Sequence, residues 1–306
     1  MALKSYQRVF LFLILVLLLT SLISPWISNL WDWIRSLNPS WEEYRYPFSR
    51  IFNRVFMILA IGLFIPCRRM LGIGSAGQFG LGPIRRKYPD LIKGFSLALA
   101  SMIAFAAVMT LAGVFTPYFR LPFEVGLERT LKGLLTAVIV GFLEEIFFRG
   151  ILFKGMLDNW KPAGAFVFAN LFYSAVHFVK PAQKVPLEGI DPLAGIFHLI
   201  HTFDRFLDPI ALLPGLTGLF TLGLVLSYAF MRSGSLYLSI GLHAGWIFSI
   251  KTLRVFGDFR REDLGWPFGF SDPKIISGWV TWICLIGVGV AVYYLTRKRQ
   301  GLQKKT

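Results

Sequence analysis

The chain has 306 residues, 55% of them hydrophobic and only 16% charged, with a mean hydropathy of +0.59. Soluble domains carry about 25% charged residues, so a soluble globule is excluded and an all-α, polytopic membrane bundle of about eight transmembrane helices is expected. The net charge of +15 does not point to a nucleic-acid partner. The basic residues flank apolar runs, where they meet the lipid bilayer's headgroups and set topology.

Lys4 and Arg8 precede an apolar stretch from Val9 to about Ser24. No small-residue cleavage site follows, so it reads as a retained first span rather than a signal peptide. Trp26, Trp31, Trp33, Trp41, Tyr44 and Tyr46 suit a headgroup-level segment. A second span covers about Val55–Cys67 and is short unless it begins nearer Ile51. The basic loop from Arg68 to Lys87 holds several glycines but no Gly-Lys-Ser/Thr ending, so it reads as a flexible loop rather than a phosphate cradle. Span three is about Gly94–Tyr118. Span four begins at Leu131 and runs to about Leu157. Asp158 to Pro162 makes the turn into span five, about Ala163–Val179.

Residues 180–209 form the longest polar connection, in which His198 and His201 read as solvated loop histidines. Spans six, seven and eight are about Ile210–Phe230, Leu236–Ile250 and Ile275–Tyr294. Cys67 and Cys284 lie in or beside apolar runs and give no disulfide framework. Eight spans in one integral-membrane domain over residues 1–306 put both termini on one side. The shorter connecting segments on that side hold only Asp90 and Asp158 as acids, which marks it as cytosolic.

Inside span four stands Gly141-Phe142-Leu143-Glu144-Glu145-Ile146-Phe147-Phe148-Arg149-Gly150. Each charge at bilayer depth costs roughly 2.5–3.5 kcal/mol on insertion scales. Glu145 and Arg149 are i and i+4 on one helix face and can pair. Glu144 lies about 100° away, which leaves a carboxylate without a local partner in an apolar setting. Glu144 and His177 stand sixteen and seventeen residues to either side of Trp160, so an antiparallel pair folded there brings them to one depth. His243 is eight residues, about 12 Å, past Ser235, and joins the same layer in the cytosolic half.

Glu144-Glu145-x-x-x-Arg149, then Tyr173-x-x-x-His177, then an intramembrane His243 resemble the CPBP family. These are the CAAX proteases and the bacteriocin-processing or self-immunity (Abi-type) proteins, a group of intramembrane endopeptidases. The resemblance covers about residues 131–250. Tyr173 replaces the usual Phe, and Ile247 stands where the family has Asn or Asp after the last histidine. The resemblance implies Glu144 as general base, with His177 helping to hold the attacking water. It gives His243 the oxyanion, with Glu145, Arg149 and Tyr173 supporting the site. Trp246 or Ser239 are candidate substitute donors for the missing Asn. Peptide hydrolysis needs such a base and such donors.

The expected substrate is a peptide or lipid-anchored protein in a bacterial inner membrane. The preferred mechanism needs no cofactor. A zinc ion on Glu144, His177 and His243 is the competing chemistry, although the helical His-Glu-x-x-His spacing is absent. Ile247 keeps open a second reading, a catalytically weak relative that binds membrane peptides or confers bacteriocin immunity. Gly241 and Gly245 form a small-residue seam facing away from His243.

Overall fold

Residues 3–72, 74–179, 191–261, 263–270 and 274–303 are described in the computed structural model. In chain order the helices are α1 (Ser5–Ser36), α2 (Phe48–Cys67), α3 (Ile84–Leu111), α4 (Phe123–Glu145), a π-helix (Ile146–Phe153) and α5 (Lys154–Leu157). They continue with α6 (Pro162–Val176), α7 (Ala194–His201), α8 (Pro209–Ser233), α9 (Tyr237–Thr252), α10 (Gly265–Phe268) and α11 (Trp279–Gln303). Two short strands, β1 (Phe115–Pro117) and β2 (Gly257–Phe259), pair antiparallel with Phe115 opposite Phe259. Five helices are long and apolar enough to cross a membrane: α1, α2, α3, α8 and α11. The chain is an integral membrane protein built as a helical bundle.

Where one domain is expected, the contacts group the chain into two compact units. The first holds residues 1–74 and 175–212. Its helix α1 runs on through Pro25 to Ser36, past the expected end of the first span near Ser24. Proline has no N–H to give the carbonyl four residues back, which here is Ser21. Gly195 of α7 packs against that carbonyl so closely that a Cβ would stand 1.8 Å from Ser21 O. The helix thus passes through its proline at the point where α7 lies on it. His198, on α7, is not solvated. It is 1% exposed, with the rings of Phe48 and Phe52 at 5.2 and 4.6 Å, and burial lowers its pKa. An apolar helix inside a connection read as polar accounts for the difference. His201 is exposed and meets Asp204 at 3.0 Å. Residues 180–190 of that connection lie outside the described ones.

The second unit holds residues 75–174 and 213–306. Its centre is α9, buried along most of its length. Helix α3 runs parallel to it through a glycine seam. A Cβ on Gly94 would stand 2.3 Å from Leu238 O, one on Gly241 2.1 Å from Leu91 O, and one on Gly245 2.6 Å from Ala98 Cβ. Helix α4 runs antiparallel on another face, with Gly141 against Ala244 and Gly133 against Thr252. The glycine-rich loop is held down, not loose. Leu236 N–H donates to Gly80 O at 3.0 Å, and the Tyr237 hydroxyl donates to Gly82 O at 2.8 Å.

Candidate active site

Glu145 ends α4, and the eight residues after it form the π-helix. A π-turn closes on the fifth residue rather than the fourth and is frequent at functional sites. It carries Arg149 into the interior, where the side chain is 1% exposed. The guanidinium makes three contacts there. NH1 donates to Glu145 Oε1 at 2.8 Å, NH2 donates to Gly223 O of α8 at 3.2 Å, and the plane lies 4.3 Å from the centre of the Tyr173 ring. A buried charge is tolerable only when paired and hydrogen-bonded, and this one is both.

Glu145 is fully buried and its Oε1 takes a second partner, His243 Nδ1 at 2.9 Å. The acceptor is a carboxylate bound also to arginine, so the ring nitrogen is the donor, and this fixes the imidazole's orientation. The other ring nitrogen, Nε2, then faces Glu144 Oε2 at 3.7 Å. That separation exceeds a hydrogen bond, so the two groups face each other without closing on one another. Glu144 is the more open of the two glutamates, its side chain 29% exposed against none for Glu145. One carboxylate is structural in its surroundings; its neighbour in sequence is partly exposed, with the Oε2 that faces His243 buried.

The structure therefore brings together Glu144, Glu145, Arg149, Tyr173 and His243. His177 is half-buried in the turn that follows α6, one residue beyond the helix end, and belongs to the first unit. Trp246 Nε1–H donates to Ser101 Oγ of α3 at 3.1 Å. The Ser239 hydroxyl meets Leu236 O at 3.0 Å and the Glu145 carboxylate. The two side chains considered as substitutes for the missing Asn are thus engaged with α3 and with Glu145. Ile247 is half-buried one turn after His243.

Sequence reasoning passed over Gly223 and Ser227; Asn170 stood out only as part of one stripe of span five with Tyr173 and His177, lining a polar cleft or joining helices. Gly223 offers a carbonyl to Arg149, and a Cβ there would stand 2.8 Å from Asn170 Oδ1 and 3.0 Å from Tyr173 Cδ1. Asn170 donates to Phe166 O at 2.8 Å and accepts from the Ser227 hydroxyl at 2.9 Å, which ties α6 to α8 behind Tyr173. A lone glycine or serine in an apolar helix carries no signal of this kind. No three His, Cys, Asp or Glu side chains among the described residues are grouped so as to hold a metal ion. Glu144 and His243 supply two donors where a catalytic zinc takes three protein ligands, so the described residues do not fit that group.

Glu144 and His243 thus face each other inside a helical bundle, with the imidazole held by the buried Glu145. Residues 126–249 match the family model described as Rce1-like, type II CAAX prenyl endopeptidase Rce1-like. That stretch contains every residue of the site and is similar to the CAAX-protease family. No curated protein and no solved structure matches the chain.

Proposed function

We propose that the protein is an intramembrane endopeptidase in which Glu144 activates the hydrolytic water and His243 receives the developing oxyanion. The observation that carries this is the 3.7 Å approach of His243 Nε2 to Glu144 Oε2, with the other ring nitrogen committed to Glu145 at 2.9 Å. Water's oxygen bonds to the scissile carbonyl carbon as Glu144 takes its proton. The carbonyl oxygen becomes negative beside Nε2. The C–N bond then breaks, and Glu144 returns the proton to the leaving nitrogen, so that acid and base are one group used twice.

Because Nδ1–H goes to Glu145, Nε2 must carry a second proton to act as donor, and the Glu145 carboxylate offsets the charge this puts on the ring. Preorganised donors of this type contribute about 2.7–4 kcal/mol each. By family pattern alone, His177 belongs to the same set. The reading extends to a peptide or lipid-anchored protein entering from the cytosolic side of a bacterial inner membrane.

Glu144→Gln is the direct test. Purified and reconstituted, it should insert and melt as the wild type does, yet lose hydrolysis of a membrane peptide by at least about a hundredfold. Turnover should be indifferent to chelator. Retained hydrolysis in the variant would remove Glu144 from its role, and loss of wild-type hydrolysis on chelation would replace the mechanism.

Ile247 favours a second reading, a weak relative that binds peptides without cutting them, because it offers no donor one turn from His243. Ile247→Asn separates the two. A rise in turnover identifies an impaired enzyme. Binding without turnover in both forms identifies a binding protein.

A further inference from the structure

An apolar cleft lies beside α4. Helices α3 and α4 both pack along α9 but leave a cleft of about 460 Å³ between them, floored by α9. Its walls include Leu91 and Phe95 of α3 and Val138 and Phe142 of α4, with Ile240 and Ala244 as the floor. At 3.6 residues per turn, Val138 and Phe142 sit roughly 120–160° around α4 from Glu144. None of Glu144, Glu145, Arg149, Tyr173 and His243 lines it, so the cleft is separate from the candidate site. It has the size of a small-molecule site, about 300–1,000 Å³, and almost wholly apolar walls. Along α3 it runs from Ile84 to Phe95, which is about 16 Å at 1.5 Å per residue. An elongated apolar slot between membrane helices suits one hydrocarbon chain.

The mouth says which kind. Ile84 ends the cleft, and the next residues are Arg85, Arg86 and Lys87, with both arginines exposed. The acid that follows, Asp90, is 3% exposed and so turned inward. Tyr237 lines the same end, and its hydroxyl holds the loop carbonyl of Gly82. Each cation near a membrane surface attracts anionic lipid by about 1 kcal/mol. A hydrophobic slot opening under three consecutive cations is complementary to an anionic phospholipid: acyl chain between α3 and α4, phosphate at Arg85–Lys87. We infer that this cleft is a specific site for one anionic phospholipid, separate from the site of hydrolysis.

Full-length protein, released from bilayers containing phosphatidylglycerol and phosphatidylcholine of identical chains, should keep one phosphatidylglycerol in detergent as read by native mass spectrometry. Val138 is 53% exposed and Ile92 54%, so Val138→Trp or Ile92→Trp fills the slot from its open side without entering the core. Either should cut retention about tenfold at an unchanged melting point in lipid-free detergent. Arg85→Glu with Arg86→Glu should abolish the preference for phosphatidylglycerol. Inorganic phosphate alone should not compete. Equal retention of the two lipids by the wild type would overturn the inference, as would wild-type retention in both tryptophan variants. Displacement by a phosphate-free prenylated peptide would assign the cleft to substrate and equally overturn it. Glu144→Gln should bind the lipid as the wild type does, so the fate of the peptidase reading is read separately.

Discussion

Glu145 is the anion on which two cationic or ionisable partners converge. Its Oε1 accepts from Arg149 at 2.8 Å and from His243 at 2.9 Å, all within a layer that water does not reach. Removing one member of a buried ion pair costs about 3–5 kcal/mol, because the other is left desolvated and alone. Glu145→Gln keeps the shape and removes the charge, so it should lower stability by about that amount. Arg149→Met alone should do the same. The double variant leaves no stranded charge and should lose clearly less than the sum. Melting midpoints of the four proteins in one detergent measure this, and strict additivity would mean that the pair is not coupled. The i,i+4 spacing of Glu145 and Arg149 is legible from sequence because it is internal to one helix turn. That His243 turns its Nδ1 to Glu145 and its Nε2 to Glu144 was not, since it depends on how closely α4 and α9 approach.

That approach is set by glycines. Helices in lipid gain no hydrophobic free energy by associating, so small residues that let backbones touch decide which pairs form. A Cβ at Gly241 would stand 2.1 Å from the backbone oxygen of Leu91, an atom that cannot rotate away. Gly241→Ala should push α3 from α9 and cost at least about 1–3 kcal/mol, the usual range for overpacking. Gly287→Ala in α11, where nothing lies within 4 Å, should be neutral or slightly stabilising. A melting-point loss confined to Gly241→Ala is the expected result, and equal effects would point to helix propensity instead. The seam was legible, as were the five long apolar helices among the eight expected spans, since apolar runs and glycine spacing are local properties. The π-helix was not, because a change from i+4 to i+5 bonding leaves hydropathy untouched. Nor was the passage of α1 through Pro25, which rests on Gly195 in α7 some 170 residues later. The β1–β2 pair escaped too: three-residue strands carry no usable period.

At the scale of the second unit, charge and helix direction together give the site an expected orientation. Because α3 runs with α9 and α4 against it, the start of α3, the end of α5 and the α8–α9 turn lie at one end, with the strands at the other. The first end carries Arg85, Arg86, Lys87, Lys154, Lys161 and Arg232 at helix ends and short connections, with Asp90 and Asp158 as its acids. At the strand end cations are matched locally: Arg120 meets Asp258 at 3.1 Å, Arg254 meets the same carboxylate at 3.9 Å, and Lys132 pairs with Glu128. Short loops rich in Lys and Arg stay on the cytosolic side. Glu144 is ten residues before Lys154, so the expected place of the carboxylate is the half of the membrane nearer those loops. In a background with Cys67→Ser and Cys284→Ser, an impermeant maleimide added to intact cells should label Phe119→Cys at the strand end. It should leave Lys161→Cys, in the α5–α6 turn, unlabelled until the membrane is opened. The reverse pattern would place the site in the outer half, and the peptide it cuts would then have to arrive from outside.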